Sequence, residues 1–205
     1  MGWYRDRMLP KIIEKSLGTD EVAGWRRRAI EGITGTVVEP GFGSGLNLPL
    51  LPPEVTKVYA VDPAMRGREL AAERLAASPI EVEFVGLDGE QIPLPDDMCD
   101  NALLTYTLCT IPDPIRALLE LRRVLKPGGS VHFLEHGKAP TERLQKMQRL
   151  IDPVQKRIGD GCHVSRDHPA LFTEAGFDLE TVTAGFGEGP KPWVYYYVGR
   201  AINPE

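Results

Sequence analysis

Three glycines at alternate positions constrain this 205-residue chain more than any other feature. Gly41, Gly43 and Gly45 follow the apolar run Thr36-Val37-Val38, an acidic residue, Glu39, and Pro40. A β-branched run that ends in alternating glycines is a buried strand entering a tight loop where backbone must approach a ligand closely. A second strand-like run, Val58 to Val61, ends at Asp62, 21 positions after Gly41. In doubly wound α/β folds an acidic residue at about that distance grips a nucleoside ribose. The two runs together predict a parallel sheet that carries a nucleoside-bearing cofactor.

Charge narrows the nucleoside. The dinucleotide fingerprint G-x-G-x-x-G seats a pyrophosphate on a helix N-terminus. Here its third glycine is replaced by Leu46, and Glu39 sits inside the cradle. A carboxylate there repels a pyrophosphate by roughly 1–4 kcal/mol at 4 Å. The same carboxylate attracts an ammonium group. S-adenosylmethionine offers an α-ammonium, a sulfonium and an adenosine, with no phosphate. Pro49, Pro52 and Pro53 leave room for barely one helical turn after the loop, which matters little where no phosphate has to be held.

Net charge is −5 and the isoelectric point about 5.5, which argues against a nucleic-acid-binding face. The three cysteines, Cys99, Cys109 and Cys162, are scattered and form no CxxC pair. That pattern argues against a disulfide framework and a structural zinc, and for a reducing, cytoplasmic setting without a metal. No apolar run reaches the ~18 residues of a membrane span, and no signal peptide is apparent. Length and composition suit one domain over 1–205. Residues 1–32 read as an N-terminal helical lid, 33–137 as a cofactor-binding half, and 138–205 as acceptor-side helices with a C-terminal hairpin.

Along the chain, helices are expected from Met8 to Leu17 and from Asp20 to Ile30. Trp3, Tyr4, Met8, Leu9, Ile12 and Ile13 form an apolar stripe that suits a lid, packing on the domain edge or, less favoured, contact with a membrane surface. Strands and helices then alternate: strands at 36–38, 57–61, 81–85, 98–104 and 130–134, helices at 64–77 and 113–125. Asp113 is a natural N-cap with Pro114 at the first helical position. A helical stretch over 138–175 is expected to break at Pro153 and at the loop 159–163. Strands at 178–183 and 193–200 enclose a Gly/Pro-rich loop and are joined too closely to pair in parallel.

Four landmarks stand in order: Glu39-Pro40-Gly41-Phe42-Gly43-Ser44-Gly45; Val61-Asp62-Pro63; Leu87-Asp88-Gly89-Glu90 with Leu94-Pro95-Asp96; and Arg123-Val124-Leu125-Lys126-Pro127-Gly128-Gly129. On these the chain resembles the class I S-adenosylmethionine-dependent methyltransferases of the small type that includes ubiquinone/menaquinone C-methyltransferases. The resemblance spans roughly residues 34–200. It implies a Rossmann-like, seven-stranded α/β sheet, mostly parallel with an antiparallel last strand. It also implies cofactor roles. Gly41, Gly43 and Gly45 would admit the methionine part, with Phe42 and Asn47 in the same loop, and Glu39 would face the ammonium. Asp62, followed by Pro63, would accept both ribose hydroxyls, Asp88 and Gly89 would meet the adenine, and Thr105 and Tyr106 would border methionine and acceptor. S-adenosylhomocysteine would be the product. Pro40 and Phe42 depart from the family pattern, and Phe42 would narrow the pocket.

Within that superfamily, Thr107-Leu108-Cys109-Thr110, Leu134-Glu135-His136, the stretch Asp160-Gly161-Cys162-His163-Val164-Ser165-Arg166 and the aromatic tail Pro192-Trp193-Val194-Tyr195-Tyr196-Tyr197 are similar to small-molecule thiol S-methyltransferases. The acceptor expected is therefore a small molecule, a thiol or sulfide. A quinone, phenol or lipid head group methylated on carbon, oxygen or nitrogen is the alternative, and a dinucleotide oxidoreductase or silent binding domain stands outside the class. His136 is the first candidate for a base or an acceptor-positioning group, against a backbone-bonding role. Tyr106 borders the acceptor, and Arg166 is read as pairing with Asp160 or an anionic substrate. His132 is read as structural, and Cys109 and Cys162 as packing. The sequence leaves the oligomeric state open.

Overall fold

The structure, a computed structural model, describes residues 8–63, 65–159 and 161–204. Strands β1 (Gly35–Pro40), β2 (Val55–Val61), β3 (Glu81–Gly86), β4 (Cys99–Thr105), β5 (Leu125–His136), β6 (Asp178–Phe186) and β7 (Tyr195–Ile202) form one sheet. Their order is β3-β2-β1-β4-β5-β7-β6. The first five pair in parallel, and β7 runs antiparallel to both β5 and β6. This is the expected seven-stranded α/β sheet with an antiparallel last strand. Strand order reverses between β1 and β4, and in open α/β sheets ligands bind in the crevice beyond the strand ends at such a point.

Among the described residues six α-helices accompany the sheet: α1 (Leu9–Leu17), α2 (Asp20–Ala29), α3 (Met65–Ala77), α4 (Pro114–Val124), α5 (Glu142–Ile158) and α6 (His168–Glu174). Local chemistry sets their ends. Thr19 caps α2 by accepting from Val22 N, with Asp20 and Glu21 in the first turn and Arg26, Arg27 and Arg28 in the last, as the helix dipole favours. Asp113 caps α4 by accepting from Arg116 N at 3.0 Å. Ala117, Leu118, Leu121 and Val124 are buried at three- and four-residue spacing and seat α4 on the sheet. Between β1 and β2 the chain makes only a 3₁₀ turn, Leu48–Leu50, as the prolines require.

Several expectations need correction. Pro153 lies inside α5 without breaking it. A proline removes one helical hydrogen bond, but Gln148 and Asp152 on the same helix are buried and tie it to the surrounding loops. Leu125 begins β5 rather than ending α4, because its backbone is extended (φ −81°, ψ 137°). Strand β6 runs on to Phe186 and β7 begins at Tyr195 rather than at 193, so the loop between them lies further along the chain than expected. Of the N-terminal apolar stripe, Leu9 is buried and Met8, Ile12 and Ile13 are exposed; Trp3 and Tyr4 lie outside the described residues. The expected helix start at Ala64 also falls outside them. His132 is structural: it is buried, with Nδ1 2.8 Å from Ala29 O and Nε2 3.2 Å from Ser130 Oγ.

Candidate active site

A cavity of about 520 Å³ opens at the C-terminal ends of β1, β2 and β4. Gly41, Phe42, Gly43, Asn47, Asp62, Pro63, Asp88, Gly89, Thr105 and Tyr106 all line it. Helix α1 closes one side through Leu9, Pro10, Ile13 and Leu17. It is tied down by Glu14, which pairs with Arg74 at 2.6 Å and accepts from Ser44 Oγ.

The glycine loop is shaped by close approach. Gly41 has φ +73°, and a Cβ there would lie 2.1 Å from Thr107 Oγ1. Gly43 N donates to Asp62 Oδ2 at 2.6 Å, so the carboxylate after β2 fixes the loop after β1. Gly67, in the first turns of α3, would place a Cβ 2.8 Å from Gly43 O, so only glycine lets this helix abut the loop. Gly45 (φ +71°) does not line the cavity; it faces the ring of Phe42, which is buried and packs edge-on against Phe84 at 5.3 Å. Asp88 Oδ1 accepts from Glu90 N at 2.8 Å and holds the turn after β3.

Behind the loop lies a buried polar hub that the sequence did not announce. Arg26, from α2, is 4% exposed and donates to Asn47 Oδ1 at 2.6 Å and Thr105 Oγ1 at 2.8 Å. Asn47 Nδ2 donates to Glu39 Oε1 at 2.7 Å and to Thr105 Oγ1 at 2.9 Å. Glu39 therefore does not reach the cavity wall: Asn47 stands in front of it. Burial pushes the Glu39 carboxyl up to about 7 against the hydrogen bond from Asn47 and the charge of Arg26. Burial likewise lowers the Arg26 guanidinium. Glu39 Oε2 and Arg26 Nε are buried and make no hydrogen bond. The negative charge inferred from Glu39 alone is thus partnered by a cation that no motif flagged.

The far end of the cavity is formed by the turn after β4. Tyr106 is held at φ +55°, a conformation that costs a non-glycine residue about 1–3 kcal/mol and is retained where surrounding structure enforces it. Glu135 enforces the turn: buried in β5, it accepts from Thr107 N, Leu108 N and Cys109 N at 2.8–3.0 Å. A charged residue amid the apolar run of β5 was the signal for it. Burial raises the Tyr106 phenol, so it stays neutral. Beyond it the wall consists of Thr107, Thr110, Ile111, Pro112, Gly159 and Gly161.

His136 and Arg166 do not line the cavity. His136 ends β5 with its ring 4.7 Å from that of Tyr106 and 5.3 Å from that of Tyr196. Arg166 donates to Leu108 O, so it braces the same turn; its expected partner Asp160 lies outside the described residues. The fold also joins what spacing kept apart, since Cys109 and Cys162 meet with their sulfurs 3.7 Å apart.

A glycine loop after β1, a carboxylate after β2 and a cavity at the switch point of a sheet with an antiparallel last strand are the features of a nucleoside-cofactor site of the Rossmann-like class. The hub tests which cofactor fits: a buried carboxylate oxygen and a buried guanidinium nitrogen, both unpaired, lie behind the end of the cavity where a zwitterionic amino-acid tail would sit. Known proteins agree. A family model described as a methyltransferase domain matches residues 38–133. The rat protein named thiol S-methyltransferase TMT1B is 36% identical over 176 residues, covering 82% of this chain and 68% of that protein. Human thiol S-methyltransferase TMT1A is 28% identical, covering 95% of this chain and 80% of its own. A solved S-adenosylmethionine-dependent methyltransferase from Aquifex aeolicus shares the fold with TM-score 0.62 at 21% identity, covering 94% of this chain and 97% of that one. The chain belongs to the class I S-adenosylmethionine-dependent methyltransferases, and S-adenosylmethionine is its cofactor.

Proposed function

We propose that this enzyme methylates a small thiol or sulfide. The observation that carries the reading is the far end of the cavity. Among the described residues lining it, the charged side chains are Arg26, Asp62, Asp88 and Glu90; the first three face the cofactor in this reading, Glu90 adjoins Asp88 in the same turn and accepts from Asp113 N, and no histidine is present. A thiol of ordinary pKa near 8.5 is already a few per cent thiolate at neutral pH and needs no base from the protein; a phenol or an activated ring carbon depends on one more. The thiol S-methyltransferase relatives support the same acceptor class.

S-adenosylmethionine supplies a methyl on a sulfonium, and its leaving thioether is neutral, so no acid is required. The chain's task is alignment, worth ~7–11 kcal/mol when reactants are held in line. In this reading Asp62 takes the ribose hydroxyls, Asp88 and Gly89 flank the adenine, and Arg26 pairs with the cofactor's carboxylate. Glu39, acting through Asn47, positions the ammonium. Tyr106 separates the cofactor from the acceptor end, and α1 serves as the lid. His136 and Arg166 are positioning residues that act through Tyr106 and the turn after β4, rather than as a base and an anion clamp.

The test is cofactor turnover with a panel of acceptors: hydrogen sulfide, an alkanethiol, a phenol, a quinol and a primary amine. Thiol and sulfide turnover at least ten-fold above the others is expected. Turnover confined to the oxygen, nitrogen or carbon acceptors overturns the reading.

A further inference from the structure

Three side chains with metal-binding atoms meet beside the far end of the cavity, and the proposed reaction uses none of them as a ligand. They are Cys109, at the end of the turn after β4; His136, the last residue of β5; and Cys162, in the loop after α5. Their ligand atoms all lie within 4.8 Å of one another. We propose that Cys109, His136 and Cys162 form a binding site for a zinc ion.

The spacing fits the ion. Zinc takes thiolate sulfur at about 2.3 Å and imidazole nitrogen at about 2.0–2.1 Å in tetrahedral geometry, which sets the sulfur–sulfur edge at about 3.8 Å. The two sulfurs stand 3.7 Å apart. A disulfide would need them at about 2.05 Å, so the pair is spaced for a shared ligand rather than for a bond. The donor set selects the ion as well: two sulfurs and one imidazole favour zinc over calcium or magnesium, which take oxygen.

The local chemistry supplies ligands in the right form. Both cysteines are free and buried, and Nδ1 of His136 is buried without a hydrogen-bond partner. Two thiolates and a neutral imidazole would neutralise a divalent charge.

The frame is already closed without the ion. Glu135 Oε2 fixes Cys109 N at 3.0 Å, His163 N donates to Cys109 O at 2.8 Å, and Gly161 packs so that a Cβ would lie 3.0 Å from Thr110 O. The ligands therefore come from three segments that are already held together. Three protein ligands leave the fourth corner for water or another small donor, and an ion here would clamp the two loops that wall the cavity's far end.

The experiment is zinc titration of the reduced full chain against a competing chromophoric chelator, with cobalt substitution read by absorption. One zinc per chain is expected, together with cobalt bands typical of tetrahedral thiolate coordination. Cys162→Ser and His136→Gln should each weaken zinc at least ten-fold, while Cys99→Ala, remote from the cluster, should bind one zinc as before. Retained stabilisation by S-adenosylhomocysteine shows that each variant is folded. No zinc beyond that held by a folded Cys109→Ser/Cys162→Ser double variant overturns the site, as does cobalt bound without thiolate bands. The readout is metal and not methyl transfer, so it is independent of which acceptor the enzyme uses.

Discussion

The two halves of this molecule are built by different means. Residues 33–137 position their functional groups through short local rules: alternating glycines, a carboxylate at a strand end, a capped helix. Residues 138–204 are held by single buried side chains that reach across long stretches of chain. Gln148 alone accepts from Ala139 N and donates to Gly137 O, Val164 O and Pro192 O. Asp152 accepts from Val164 N and Ser165 Oγ, and His168, buried, donates from Nε2 to His136 O at 2.7 Å. Local rules of this kind can be written as a motif; a region assembled by polar latches across long stretches of chain cannot.

The contrast can be broken first at Gln148. Gln148→Met leaves one N–H and three carbonyls without their partner, and an unsatisfied buried polar group costs about 1–3 kcal/mol. Chemical denaturation should show a loss of about 3–5 kcal/mol, with S-adenosylhomocysteine affinity changed less than about three-fold. Equal loss of affinity would mean that the halves are not separable. Asp62→Ala is the converse. It removes a charged acceptor from the cofactor and frees Gly43 N, so affinity by calorimetry should fall about 100-fold, about 2.7 kcal/mol. Retained affinity would remove Asp62 from the site.

Acidity sharpens the comparison because each half carries a buried group of opposite slope. His168 is depressed to about 4 by burial, so the unfolded chain takes up the proton first. Its contribution of about 3 kcal/mol is present above pH 6.5 and is lost as pH falls towards 4. Glu39 is raised to about 7 by burial, so its contribution favours the folded chain below pH 4.5 and is lost as pH rises from 4.5 to 7. Urea denaturation from pH 4 to 8 should therefore diverge between variants. Relative to wild type, Glu39→Gln should gain stability as pH rises through this window and His168→Gln should lose it; parallel profiles would contradict both assignments. The smallest effect is expected at Leu150, which is 79% exposed on α5; Leu150→Glu should change stability by no more than about 0.5 kcal/mol.

Much of the sheet was legible because alternating apolar runs and punctuating Gly and Pro state strand and loop locally. Gly41, Gly43 and Asp62, which line the cavity, stand out in the sequence for the same reason. Arg26 was not, since a lone arginine on a polar helix looks solvated until α2 packs over the loop and buries it. Gly67 was hidden in an Ala/Glu/Arg-rich helix, where nothing marks a contact with another segment's backbone. Pro153 misled because the rule for helix breaking counts the lost hydrogen bond and not the anchors at Gln148 and Asp152. Cys109 and Cys162 looked scattered because their meeting depends on where the loop after α5 returns. Residues that act through tertiary contact left little local trace.

The proposed reaction draws its methyl from the cofactor's sulfonium and takes no base from the described residues at the cavity's far end. It is tested most directly by the pH dependence of kcat/KM for two thiols of different acidity, at saturating S-adenosylmethionine. The rising limb should move with each thiol's own pKa. A limb fixed at the same pH for both thiols would reveal a protein base and contradict the account.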